Sequence, residues 1–219
     1  MLICEELFLL LTKDSGKPES RMTYPTYGLT GALLTDLLLA GRISLTEDRS
    51  PRVYIVNSGP TGHPVLDWAL TVLPAKDGKR FSSLVPWGKL NPTHRIAESL
   101  EAAGTIRIHT GGLFGSFNPT YPTLDPVPER QLRERIDGAL RGVQPPTGPD
   151  VALLAILQAL NIAPVVLPQQ ETGLSRSELK RRIKELSGEN PVGRAVQRAV
   201  DATTMAIIAA TSAAVVSTN

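Results

Sequence analysis

The sequence predicts a mainly α-helical fold, with one compact domain over residues 1–219, a central helix bundle and one or two small β-hairpins. Three observations carry this reading. Apolar residues recur at helical spacing in one segment after another, and the connections are short, which favours a bundle. Strand-like stretches are few and never alternate with helices, which argues against a parallel sheet. The 219 residues are 42% hydrophobic and 20% charged, enough to bury a core without disulfides or metals.

Leu2–Leu11 is apolar nearly all round, with Glu5 and Glu6 as its polar edge, and reads as a helix packed deep in the core. Lys13–Pro18 is a turn. Tyr27–Ala40 is the next helix. Its small face of Gly28, Gly31 and Ala32 lets another backbone approach closely, which makes it the central helix, and Gly41 suits a left-handed C-cap. Ile43–Thr46 and Val53–Val56 flank a polar stretch with Pro51 and read as a short hairpin. Pro64–Leu73 carries an apolar stripe of Val65, Leu66, Ala69, Leu70 and Leu73. Asn91–Ala103 is a helix with Asn91 as N-cap and Pro92 at its first position, ended by Gly104. Thr105–His109 and Leu113–Phe117 flank Thr110-Gly-Gly112 as a second hairpin candidate, and Asn118–Pro128 is a proline-rich loop. Pro128–Leu140 is a charged amphipathic helix, and Gly142–Pro149 is a linker. Asp150–Leu160, Ser175–Leu186 and Pro191–Val216 complete a helical second half, with a capping box at Ser175 and Glu178. The sum is about eight helices.

Composition narrows the function. One cysteine, Cys4, excludes an internal disulfide and fits a reducing compartment, and its apolar surroundings make it a small buried hydrophobe. A formal charge of +2 is too weak to argue for nucleic acid. The N-terminus lacks a basic region before its apolar run, so it is not read as a signal peptide. Ala199–Val216 contains Asp201 and many small polar residues, and reads as a core helix rather than a membrane span.

No catalytic motif, metal site or cofactor signature is visible. Gly59–Gly62 lacks the ending of a phosphate loop, and Gly111–Gly115 fits a hairpin turn. His63, His94 and His109 are scattered, and the carboxylates fit solvated helix faces. Two basic groups stand out. Arg176, Lys180, Arg181, Arg182 and Lys184 lie on one helix, followed by Arg194 and Arg198; Lys180 and Lys184 align while Arg181 turns away, so the group partly wraps its helix. Arg80, Lys89, His94 and Arg95 surround Trp87, an aromatic among bases near a helix N-terminus, which suits an anion or a membrane interface as well as it suits a core tryptophan.

Four segments in order, Glu5–Thr12, Gly28–Ile43 with Gly-Leu-Thr-Gly, Pro60–Asp67 and Arg95–Gly104, resemble the Golgi phosphoprotein 3 family over nearly the whole chain. The resemblance implies a mostly helical domain that binds phosphatidylinositol 4-phosphate on a basic, flattened surface. Eukaryotic members of that family sit on Golgi membranes and act as adaptors for glycosyltransferase tails and a myosin. It implies a lipid pocket built from a tryptophan before the Gly-Leu-x-Gly helix, an arginine within it and two bases before the next matched helix. Those positions fall near Arg21, at Thr30, and at or near Leu90 and Thr93, so none is retained by identity. Arg95 matches a neighbouring arginine. The Ala-, Leu- and Arg-rich composition and the short N-terminal segment give the expectation of a bacterial member.

The sequence therefore leads to a cytoplasmic, peripherally membrane-associated domain, not an enzyme, that recognises anionic phospholipid headgroups. Arg21, Trp87, Lys89, His94 and Arg95 are its candidate site residues, with no cofactor and no nucleic-acid partner. The alternative is a protein-interaction adaptor whose lipid site has decayed, with an unidentified protein partner. An unrecognised enzyme ranks third.

Overall fold

The computed structural model describes residues 1–19, 25–110, 119–188 and 194–216. Its first helix, α1 (Ile3–Leu10), is buried along its whole length. A leucine at the N-cap has no oxygen with which to satisfy the free N–H groups of the first turn. Asp36 does this from the neighbouring helix: its carboxylate accepts the N–H groups of Ile3 at 2.9 Å and Cys4 at 3.0 Å.

Asp36 lies on α2 (Pro25–Leu39), the central helix the small face predicts. α2 packs against α1, α7 (Gly148–Ala159) and α11 (Arg194–Val216). Thr35 donates its hydroxyl to the Gly31 carbonyl at 3.0 Å and lies 2.8 Å from the Thr203 hydroxyl on α11, so Thr203 supplies the proton of that contact. Gly41 ends α2 at φ 64°, the left-handed conformation expected of its C-cap.

Strands β1 (Ile43–Leu45) and β2 (Val53–Ile55) form an antiparallel hairpin in the register Ile43↔Ile55, Ser44↔Tyr54 and Leu45↔Val53. The period of two puts Ile43 and Val53 in the core and leaves Ser44 and Tyr54 exposed. α3 (Pro64–Val72) follows, then a 3-10 turn over Leu73–Lys76, α4 (Phe81–Leu84), a second 3-10 turn over Gly88–Leu90, and α5 (Thr93–Ala102). Asn91 caps α5 as expected of its side chain, its Oδ1 accepting the Thr93 N–H at 3.1 Å, but the helix starts at Thr93 rather than at Pro92.

The second hairpin departs from expectation. Arg107 and His109 pair with Pro122 and Thr120, within the segment read as a loop. Proline has no N–H for a ladder but keeps its carbonyl, and Pro122 accepts the Arg107 N–H at 2.9 Å. Leu113–Phe117 lie outside the described residues.

α6 (Val127–Arg141), α8 (Ala163–Val166), α9 (Gln169–Thr172) and α10 (Arg176–Gly188) complete the described helices. The segment read as a linker in fact opens α7. Thr147 and Asp150 form a reciprocal capping box, with the Asp150 carboxylate accepting the Thr147 N–H at 2.9 Å and the Thr147 hydroxyl accepting the Asp150 N–H at 3.3 Å. The box predicted at Ser175 and Glu178 is present at the start of α10. Among the described residues no helix is long and apolar enough to cross a membrane. The apolar run at the end of the chain is instead packed on α2, α4 and α7.

Candidate functional site

The site residues are carried by short elements pinned to buried neighbours. Leu90 is fully buried and holds the 3-10 turn of Gly88–Leu90 against the core, which leaves Trp87 half-buried and Lys89 exposed. Ile96 and Ala97 bury the inner side of α5, so His94 and Arg95 face outward on its first turn.

Two tryptophans meet cations here. The Lys76 ammonium lies 5.2 Å from the centre of the Trp87 ring, and the Arg95 guanidinium 6.0 Å from that of Trp68. Both separations are within the range where a ring face attracts a cation. Glu98 partly offsets the charge, accepting from His94 Nε2 at 3.2 Å and from Arg95 at 2.9 Å. Lys89 has no ion-pair partner among the described residues.

Trp87, Lys89, His94 and Arg95 are thus brought onto neighbouring elements, and Arg21 lies outside the described residues. The structure adds Trp68 and Lys76. Trp68 sits off the apolar stripe of its helix, and an aromatic on the polar side of an amphipathic helix is the signal that reveals it. Lys76 lies in a single 3-10 turn with no periodicity to read. Arg80 belongs elsewhere, since its backbone bridges Arg52 beside the hairpin.

The three family-pocket positions that can be placed hold no cation. Thr30 is 1% exposed and Leu90 0%, while the Thr93 hydroxyl donates to Asn91 Oδ1 at 2.7 Å. The three histidines fall in three places: His63 beside Glu5 at 3.3 Å, His94 beside Glu98, and His109 paired through its backbone with Thr120. Among the described residues no group of three or more metal-ligating side chains converges.

A helical domain built around one buried central helix, with two tryptophans each approached by a cation on neighbouring elements, is the class of protein these features define. Residues 3–203 match the family model of Golgi phosphoprotein 3 (GPP34), and the chain belongs to that family. It is similar to vacuolar protein sorting-associated protein 74 of Eremothecium gossypii, with 26% identity over 161 residues, covering 62% of this chain and 48% of that protein. The chain spans about half the length of the curated relative it matches.

Proposed function

We propose that this protein is a peripheral membrane-binding domain that recognises anionic phospholipid headgroups, the kind of ligand that phosphatidylinositol 4-phosphate represents. The observation that carries the reading is the pair of cation-capped tryptophans, Lys76 over Trp87 and Arg95 over Trp68, with unpaired Lys89 beside them. Tryptophan suits the headgroup zone because one end of its ring system is apolar and the other donates a hydrogen bond. Exposed cations beside it gain from the negative potential of an acidic leaflet.

Co-sedimentation with vesicles tests this, comparing neutral lipid with phosphatidylserine and phosphatidylinositol 4-phosphate mixtures at low and moderate salt. The protein pellets with acidic vesicles and less so as salt rises. K89A/R95A weakens binding about tenfold, at about 1 kcal/mol for each base near the surface and less for Arg95 because Glu98 offsets it. Selective pelleting with the phosphoinositide would assign a relocated pocket. Equal pelleting with every acidic lipid would assign a general electrostatic surface. No pelleting at low salt overturns the proposal. The second reading is an adaptor that engages a protein partner. It is favoured by Thr30 and Leu90, which are sealed in the core at positions where the family's pocket carries bases.

A further inference from the structure

Glu5 stands at the polar edge of α1, yet it is 4% exposed. Taking a carboxylate out of water is costly unless donors meet its oxygens. Three donors meet this one. Its Oε2 accepts the Leu2 N–H at 3.0 Å, within the first turn of α1. Its Oε1 accepts the Ser99 hydroxyl of α5 at 2.7 Å and lies 3.3 Å from Nε2 of His63, the N-cap residue of α3. His63 Nδ1 is shielded from water and has no partner among the described residues. A proton there would be a buried donor with nothing to meet it, so the neutral imidazole keeps its proton on Nε2, facing Glu5.

The bond to Leu2 is local, but the other two contacts join α1 to α3 and α5. Those helices carry the Arg95–Trp68 half of the headgroup site. Ser99 follows Arg95 by four residues and shares its row on α5. Trp68 stands about one turn into the helix that His63 opens. The Arg95 guanidinium lies 6.0 Å from the Trp68 ring centre, at the outer limit for attraction to an aromatic face. A small slide of α5 along α3 would therefore part them. The two helices pack together, α3 burying Val65, Leu66, Ala69 and Leu70, and α5 burying Ile96, Ala97 and Leu100. Apolar attraction has no direction and resists such a slide weakly. One carboxylate oxygen that holds a donor from each helix resists it through hydrogen-bond distance and angle.

We propose that Glu5 is a positioning residue of the headgroup site: through Ser99 and His63 it sets α5 against α3 and so holds Arg95 over Trp68. The consequence for binding rests on the headgroup reading, in which this pair is one of the two cation-capped tryptophans.

The chain has two tryptophans, so W87F leaves Trp68 alone, and acrylamide quenching of its fluorescence then measures how well the ring is covered. In that background R95A uncovers the ring and quenching rises. S99A, which cuts only the tie to α5, raises it in the same direction, and E5A, with its fold checked by circular dichroism, raises it at least as far. With Trp87 restored, S99A weakens pelleting with phosphatidylserine vesicles by about two- to fivefold, the strength of one cation–aromatic contact. That loss adds fully to K89A and hardly at all to R95A, a pattern that general destabilisation would not give. Unchanged quenching in both S99A and E5A overturns the proposal, and so does a pelleting loss in S99A that adds fully to R95A. If E5A does not fold, S99A decides alone. Quenching needs no vesicle, so a wild type that never pellets removes the headgroup reading and leaves the seating of Arg95 on Trp68 to be decided by quenching.

Discussion

Asp36 shows how far one residue's surroundings shift its chemistry. Burial pushes its carboxyl up to about 7, against the N–H groups of Cys4 and Ile3, which favour the charged form. The folded chain therefore holds this proton more tightly than the unfolded chain does. The resulting stabilisation is fully present below about pH 4 and is lost as pH rises through about 7. In urea titrations, the wild type loses stability relative to D36N across that window, by on the order of a few kcal/mol. Parallel pH profiles for the two proteins would exclude the shift. Cys4 sits beside the same carboxyl, and burial raises its thiol well above the usual range, in keeping with the small buried hydrophobe its apolar run predicts. Asp36 itself gave no signal in the sequence, because its role is to cap a helix distant in the chain.

At the scale of elements, the crossing of α2 and α11 depends on Gly31. A Cβ placed there would lie 2.8 Å from the Thr203 methyl and 3.1 Å from Ile207, and both side chains are fully buried with nowhere to move. Gly31→Ala therefore destabilises by about 1–3 kcal/mol despite alanine's better helix propensity, which thermal or chemical denaturation would show; a neutral or stabilising outcome would mean the crossing relaxes freely. This contact was legible in part. The small face of Gly28, Gly31 and Ala32 announced a close partner, but not which helix supplies it. The long helices were legible for the same reason, since each repeats its apolar pattern over several turns. α4, α8 and α9 were not, because four residues make about one turn and show no period. The partner of Thr105–His109 was hidden by the prolines around Pro122, which remove N–H groups but leave the carbonyls that pair.

Across the whole molecule, Arg135 on α6 ties the first helix to the second half of the chain. Its guanidinium donates to Glu6 on α1 at 2.8 Å and to Asp150 on α7 at 2.7 Å. Asp150 is almost wholly buried, so Arg135→Ala strands two carboxylates in the core; with Arg135 itself about one-third exposed, the cost is about 2 kcal/mol. Adding Glu6→Gln recovers part of it in a double-mutant cycle, and additive losses would deny the coupling. The candidate site was legible to the extent that its bases cluster in the sequence around Trp87; Trp68 and Lys76 join it only through packing between α3, the following turns and α5. The bond between Thr35 and Thr203 spans 168 positions. A ribosome adds about 5–20 residues per second, so α2 waits on the order of ten seconds for the helix that seals it. Throughout that interval the face of α2 that α11 will cover stands without its partner on the nascent chain, so the central helix of the finished fold is closed last on that side during its manufacture.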